Sequence, residues 1–236
     1  MLTLGRFVDA APYASDYGFE HIYWRSLRER ERDFLATRDY LWRWDTDWFW
    51  CSRQFGAQHA LVRRLLGRKR LNSVTYQRAM RWNSRWGFTR ALNRLRGMHA
   101  ESVIQDVDIP LEHGAGFLDF LAREIGIWPV WLCPLRARDP AARFTLYPLQ
   151  PQTTYLNFGF WDVVSERTPR PPGFHNRKVE LEVARLGGLK SLYSDSYYSE
   201  AEFWALHDRA AYAQLKRAVD PADALGDLYA KCVRHR

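Results

Sequence analysis

Cysteine is scarce in this chain of 236 residues: Cys51, Cys133 and Cys232 lie far apart, with no CxxC spacing. That excludes a disulfide framework and a cysteine-based zinc site, and it fits a reducing compartment. The seven histidines form no HExxH or HxxxH pair, so no metal centre is expected. There is no apolar run of the roughly 18 residues that an ordinary transmembrane helix needs. The opening residues, MLTLGRFVDAAPY, lack a basic stretch followed by a long apolar one and do not read as a signal peptide. The expected location is the cytoplasm, with any membrane contact peripheral.

What is abundant is aromatic and unevenly charged. The chain has 11 Trp, 12 Tyr and 13 Phe, with 47% hydrophobic and 26% charged residues, a globular composition. Net charge is +8, but residues 1–100 hold 19 Lys and Arg against 9 Asp and Glu, and the remainder holds 16 against 18. Seven of the tryptophans are also in the first hundred residues. Such asymmetry points to an anionic partner for the front half alone.

Residues 2–8, LTLGRFV, alternate like a short strand with no partner nearby. From 17 to about 100 the pattern is helical, interrupted by Gly56, Gly67, Gly87 and Gly97. This basic, Trp-rich region reads either as surface helices with Trp and Arg packed by ring and stem or as a face lying on an anionic membrane. No recognition motif accompanies the charge, so a nucleic-acid partner is not expected.

The second half is more regular. SVIQDVDIP (Ser102–Pro110) alternates as a strand, and GFLDFLAREIG (Gly116–Gly126) follows as a helix closed by glycine. WPVWLCPL (Trp128–Leu135) and TTYLNFGFW (Thr153–Trp161) read as strands, RKVELEVARLGG as a helix and LKSLYS as a last strand. The order β-α-β-β-α-β predicts an α+β, ferredoxin-like domain with an antiparallel sheet. Helices follow: Ser199 and Glu202 form a capping box for one continuous helix running to Val219, and Asp220 and Pro221 start a final one. The expected organisation is a strand and linker over 1–16, a helical region over 17–100 and the α+β domain over 101–236.

Two motifs carry chemistry ambiguously. HGAGFLDF contains Gly-x-Gly, but Asp119 stands where a dinucleotide loop needs its third glycine, so it is read as a tight turn. LYSDSYYSEAEFW puts Tyr193, Asp195, Ser196 and Tyr197 at a strand-to-helix junction, where phenols beside an acid either pack or move protons.

The segments VIQDVDIP, WPVWLCPL, LYSDSYYSEAEFWALHD and DLYAKC, in that order, resemble the C-terminal half of the delta-24-sterol reductases and their bacterial relatives. These are FAD-linked oxidoreductases of the vanillyl-alcohol-oxidase-like group. FLATRDYLWRWDTDWFW and LLGRKRLNSVTY are similar to the helical insertion that precedes that half. The resemblance implies a cap that closes over a flavin held by a separate N-terminal domain, and NADPH as electron donor for reduction of an isolated C=C bond in a lipophilic, sterol-like substrate. It places Tyr193 and Asp195 as catalytic residues and Tyr193, Ser196, Tyr197 and Gln105 against the flavin. It also places Gln105, Asp106, Trp131, Cys133 and Asn157 around the substrate. No stretch resembles the glycine-rich flavin-binding domain, so the expectation is a truncated or split enzyme, inactive alone, whose partner is an FAD-binding subunit. A basic front half suits a membrane surface from which such a substrate is drawn. The other reading is a non-catalytic remnant of the same fold that binds a membrane or a partner.

Overall fold

The computed structural model describes residues 4–47, 51 and 56–234. The start of the expected first strand (2–3) and the end of the Trp-rich stretch (48–50) lie outside them. The chain divides into two units, Met1–Ala91 and Leu92–Arg236.

In the first unit, residues 4–8 form no strand; Leu4 and Phe7 stand exposed. Helices α1 (Tyr23–Glu29), α2 (Thr37–Trp42), α3 (Ala60–Leu66), α4 (Ser73–Trp86) and the start of α5 (Phe88–Leu95) follow. Their core is aromatic and polar together. Tyr17 is buried, stacks edge-on against Tyr23 at 5.4 Å, and donates its hydroxyl to Asp33. Asp33 also takes the Ser15 hydroxyl at 2.5 Å and an Arg30 guanidinium at 3.3 Å. Burial and that hydrogen bond push the Tyr17 phenol up to about 12. Asn72 caps α4 by accepting the Thr75 amide at 2.9 Å, and Gly87 ends it at φ 63°, a conformation glycine enters without a Cβ clash.

The second unit is α+β. Strands β1 (His99–Pro110), β2 (Trp131–Leu135), β3 (Tyr155–Glu166) and β4 (Leu189–Lys190) form one sheet in the order β2-β3-β1-β4, every neighbour antiparallel. The two middle strands are the long ones. β1 and β3 pair along their whole length, from His99↔Glu166 to Pro110↔Tyr155. Alternation sends Val103, Val107 and Ile109 of β1, and Phe158 and Phe160 of β3, to one face. Helix α6 (Gly114–Phe120), a π turn over Leu121–Ile125 and helix α7 (Phe174–Arg185) cover that face. Phe117, Leu121, Val179 and Val183 enter the same core, and the Phe117 ring meets Phe158 edge-on at 4.9 Å. Burying each such side chain contributes about 1.5–3 kcal/mol.

Several boundaries differ from the sequence reading: β1 starts at His99 and not Ser102, β2 at Trp131 and not Trp128, and β3 runs on to Glu166. β4 ends after two residues because the Ser191 amide bonds to the Asp106 carbonyl at 2.9 Å and the chain then turns away. The long helix expected after Ser199 is broken into α8 (Glu200–Leu206) and α9 (Arg209–Val219). Asp208 prefers to cap: its carboxylate accepts the Ala211 amide at 2.9 Å, while His207 turns inward to the Leu146 carbonyl. The last helix, α10 (Leu228–Cys232), is capped by Asp227, not by Asp220. Asp220 instead closes α9, bonding Lys216 at 2.6 Å and the Leu225 amide at 3.0 Å. The expected capping box at Ser199 and Glu202 is formed.

Candidate functional site

The sheet face away from α6 and α7 carries Ser102, Ile104, Asp106 and Asp108 from β1. Strand register sets their neighbours: Asp108 faces Asn157, and Asp106 faces Gly159. On the far side of β3, Asn157 meets Cys133 and Gly159 meets Trp131. Four residues assigned to the substrate by resemblance (Asp106, Trp131, Cys133 and Asn157) therefore fall in two adjacent cross-strand rows.

Part of this face is closed. Tyr147, from the loop joining β2 to β3, donates to Asp108 at 2.6 Å, and Asn157 donates to the other carboxylate oxygen at 2.9 Å. Burial and the Asp108 carboxylate hold the Tyr147 phenol far above its ordinary range. His207 binds the same loop at the Leu146 carbonyl, 2.8 Å away.

The other row is open. Tyr193 is 63% exposed, and burial together with the neighbouring Asp106 carboxylate pushes its phenol up to about 12. Asp106 needs a glycine opposite: a Cβ on Gly159 would come within 2.6 Å of its carboxylate oxygen. Beside this pair lies a groove of about 210 Å³, lined by Ser102, Ile104, Asn176, Tyr193, Ser194 and Asp195.

The tyrosine segment owes its course to buried charge beneath it. Lys190, on β4, is buried on the helix side of the sheet with Glu180 of α7, at 3.4 Å. Its ammonium donates to the Asp195 carbonyl at 2.9 Å and to the Ser196 hydroxyl at 2.6 Å. Glu180 accepts the Tyr197 amide at 2.9 Å. Desolvation lowers the Lys190 pKa and raises that of Glu180, each opposed by the partner's charge. The Tyr197 ring rests on Gly173, at φ 76°, where a Cβ would lie 2.1 Å from a ring carbon. Ser196 and Tyr197 thus anchor the segment from behind, and only Tyr193 and Asp195 of the expected four line the groove.

Gln105 lies on the opposite, helix-packed face and is fully buried. It does not open onto the Asp106 side of the sheet. Its amide donates to Asn176 at 2.5 Å and accepts from Ser194 at 3.2 Å. Asn176 in turn donates to Glu101 at 2.7 Å, and Glu101 accepts the Asn176 amide at 2.9 Å, satisfying the first turn of α7. Gln105 therefore reaches the groove only through Ser194 and Asn176.

Asp108, Tyr147, Asn176, Glu180 and Lys190 escaped the sequence reading. Two signals were available: Asp108 recurs two residues after Asp106, and Glu180 sits on the apolar stripe of Val179 and Val183. Among the described residues no group of three or more His, Cys, Asp or Glu is arranged to hold a metal, and no helix is long and apolar enough to cross a membrane.

The chain is 27% identical over 214 residues to the Delta(24)-sterol reductase homolog dhcr-24 of Caenorhabditis elegans, a match covering 86% of this chain and 37% of the relative. It is 26% identical over 144 residues to the Delta(24)-sterol reductase of Homo sapiens, covering 56% and 26%. The Delta(24)-sterol reductase of Pisum sativum is 28% identical over 154 residues, covering 58% and 27%. No family model and no solved structure matches. The chain is a homologue of the delta(24)-sterol reductases and spans about a quarter to somewhat more than a third of the length of these relatives.

Proposed function

We propose that this chain is the substrate-covering cap of an FAD-dependent oxidoreductase that reduces an isolated C=C bond in a sterol-like lipid. The single observation that carries the reading is the Tyr193–Asp106 couple on an open sheet face, next to a groove, in a homologue of sterol reductases.

The residues present fit one end of a flavin only. Tyr193, Ser194 and Asn176 offer hydroxyl and amide groups suited to the polar edge of an isoalloxazine ring. The groove of about 210 Å³ is below the roughly 300–1,000 Å³ of a complete ligand pocket, and no Lys or Arg lines it for a pyrophosphate. The adenine and phosphates are then held by a flavin-binding domain, either elsewhere in a longer chain or on a separate subunit. When bound, flavin reduced by NADPH would supply hydride to one alkene carbon, leaving the other to take a proton.

The chain's own residues supply the proton. A phenol pushed up to about 12 stays protonated at neutral pH, so Tyr193 acts as a donor and not as a base. Asp106 orients that hydroxyl, and Gly159 leaves room for the carboxylate to do so. Asp195 adds an acceptor to the same groove. Trp131, exposed in the same cross-strand row as Asp106, offers a flat apolar surface to a ring system.

The test combines the chain with the portion of the Caenorhabditis elegans relative that it does not match. The expected result is a yellow complex whose NADPH-reduced flavin is reoxidised by a sterol with a Δ24 double bond. A mixture whose NADPH-reduced flavin is not reoxidised by the sterol, with the relative's portion folded and FAD-loaded, favours the non-catalytic remnant.

A further inference from the structure

Between Asp47 and Glu101 the chain contains 12 Lys and Arg and not one Asp or Glu. A run of 53 residues with charge of a single sign can be balanced only from outside itself, as where Arg68 pairs with Asp16. Helix α4 lies within it. Val74, Arg78, Arg81, Trp82, Arg85 and Trp86 are all exposed, and their spacing puts them on one side of the helix. Trp82 is 56% exposed and Trp86 68%. The Arg85 guanidinium lies 6.0 Å over the Trp86 ring, and the Trp82 ring reaches Phe88, itself exposed, at 6.0 Å. Large indoles and guanidinium groups thus share one surface, with no acid among them.

We propose that this face of α4 docks the protein on an anionic lipid bilayer. The two residue types serve different depths. Indoles settle at the headgroup boundary, where the ring is apolar and its N–H stays wet, while the arginines bind lipid phosphates just above. A nucleic acid would use the charge but would not call for Val74, Trp82 and Phe88 beside it. An acidic protein partner would need nothing from a neutral bilayer core, whereas these apolar groups are placed to enter one. The inference does not depend on the flavin reading: a catalytic cap and an inactive remnant alike would dock this way.

The test uses the full chain and sucrose-loaded vesicles of phosphatidylcholine, with or without phosphatidylglycerol. Binding is expected to the anionic vesicles, weakly to the neutral ones, and less as salt rises. The triple variant Arg78→Gln, Arg81→Gln, Arg85→Gln should lose roughly 100-fold in affinity. The pair Trp82→Ser, Trp86→Ser should lose roughly tenfold. These five positions carry exposed side chains, so unfolding curves of the variants should match the parent. Should a variant misfold, quenching of the parent's tryptophan fluorescence by brominated lipid decides the question. Quenching supports docking. No sedimentation and no quenching overturns it, as does unchanged binding by folded variants. Binding to duplex DNA with none to vesicles overturns it in favour of a nucleic-acid surface.

Discussion

Lys190 and Glu180, both buried, face each other at 3.4 Å directly beneath the segment that carries Tyr193. Neither is satisfied by the other alone. Lys190 also holds the Asp195 carbonyl and the Ser196 hydroxyl, and Glu180 the Tyr197 amide. The ion pair is thus a clamp on a stretch that has almost no regular structure of its own.

Removing one partner strands the other in a dry site. Lys190→Met is expected to cost about 3–5 kcal/mol in denaturant unfolding. The double variant Lys190→Met, Glu180→Leu should recover much of that loss. A loss in the double variant equal to the sum of the losses in Lys190→Met and Glu180→Leu would mean that the charge pair is not coupled.

Gly159→Ala tests the fit between Asp106 and the sheet. A Cβ there meets the carboxylate oxygen, a movable group, so the fold should survive with a loss of about 1–3 kcal/mol. Displacing Asp106 moves its negative charge away from the Tyr193 hydroxyl. The ionisation of Tyr193, isolated as the absorbance difference from Tyr193→Phe, should fall from about 12 toward the ordinary tyrosine value.

The same phenol gives a pH signature of stability. Its folded-state pKa is raised above an unfolded value near 10, so its contribution is complete below about pH 10 and is lost as pH climbs toward 12. The stability difference between the parent and Tyr193→Phe, followed by denaturant unfolding across that range, should shrink accordingly.

His207 has the opposite sign. Burial depresses its pKa, opposed by the Leu146 carbonyl, so the folded protein prefers it neutral. Its contribution is present above an unfolded pKa of about 6.5 and is lost as pH falls, with a limiting slope of about 1.4 kcal/mol per pH unit. His207→Asn should flatten stability against pH between roughly 5 and 6.5.

How much of this was legible in the sequence depended on distance along the chain. The alternation of Val103, Gln105, Val107 and Ile109 announced β1 and its buried side, because side-chain period is a local property. The Ser199–Glu202 cap was legible for the same reason. The break at His207–Asp208 was not, since it depends on a carbonyl 61 residues away. Lys190 in a short polar strand gives no sign of burial; its partner comes from a helix face ten residues earlier and its clamp from the loop after it. Tyr147 meets Asp108 across 39 residues, on the same terms. Resemblance grouped Asp106, Trp131, Cys133 and Asn157 around a substrate, and the strand register sets these four on one face. Resemblance also put Gln105 with them, although alternation from Asp106 sends Gln105 to the other side.

The most direct test of the central claim is the rate of sterol-driven flavin reoxidation in the reconstituted complex, compared between the parent and Tyr193→Phe. Loss of a positioned proton donor should slow that step by roughly 10²–10⁴-fold while NADPH-driven flavin reduction stays at the parent's rate. An unchanged reoxidation rate in Tyr193→Phe would contradict the assignment of the Tyr193–Asp106 couple to the reaction.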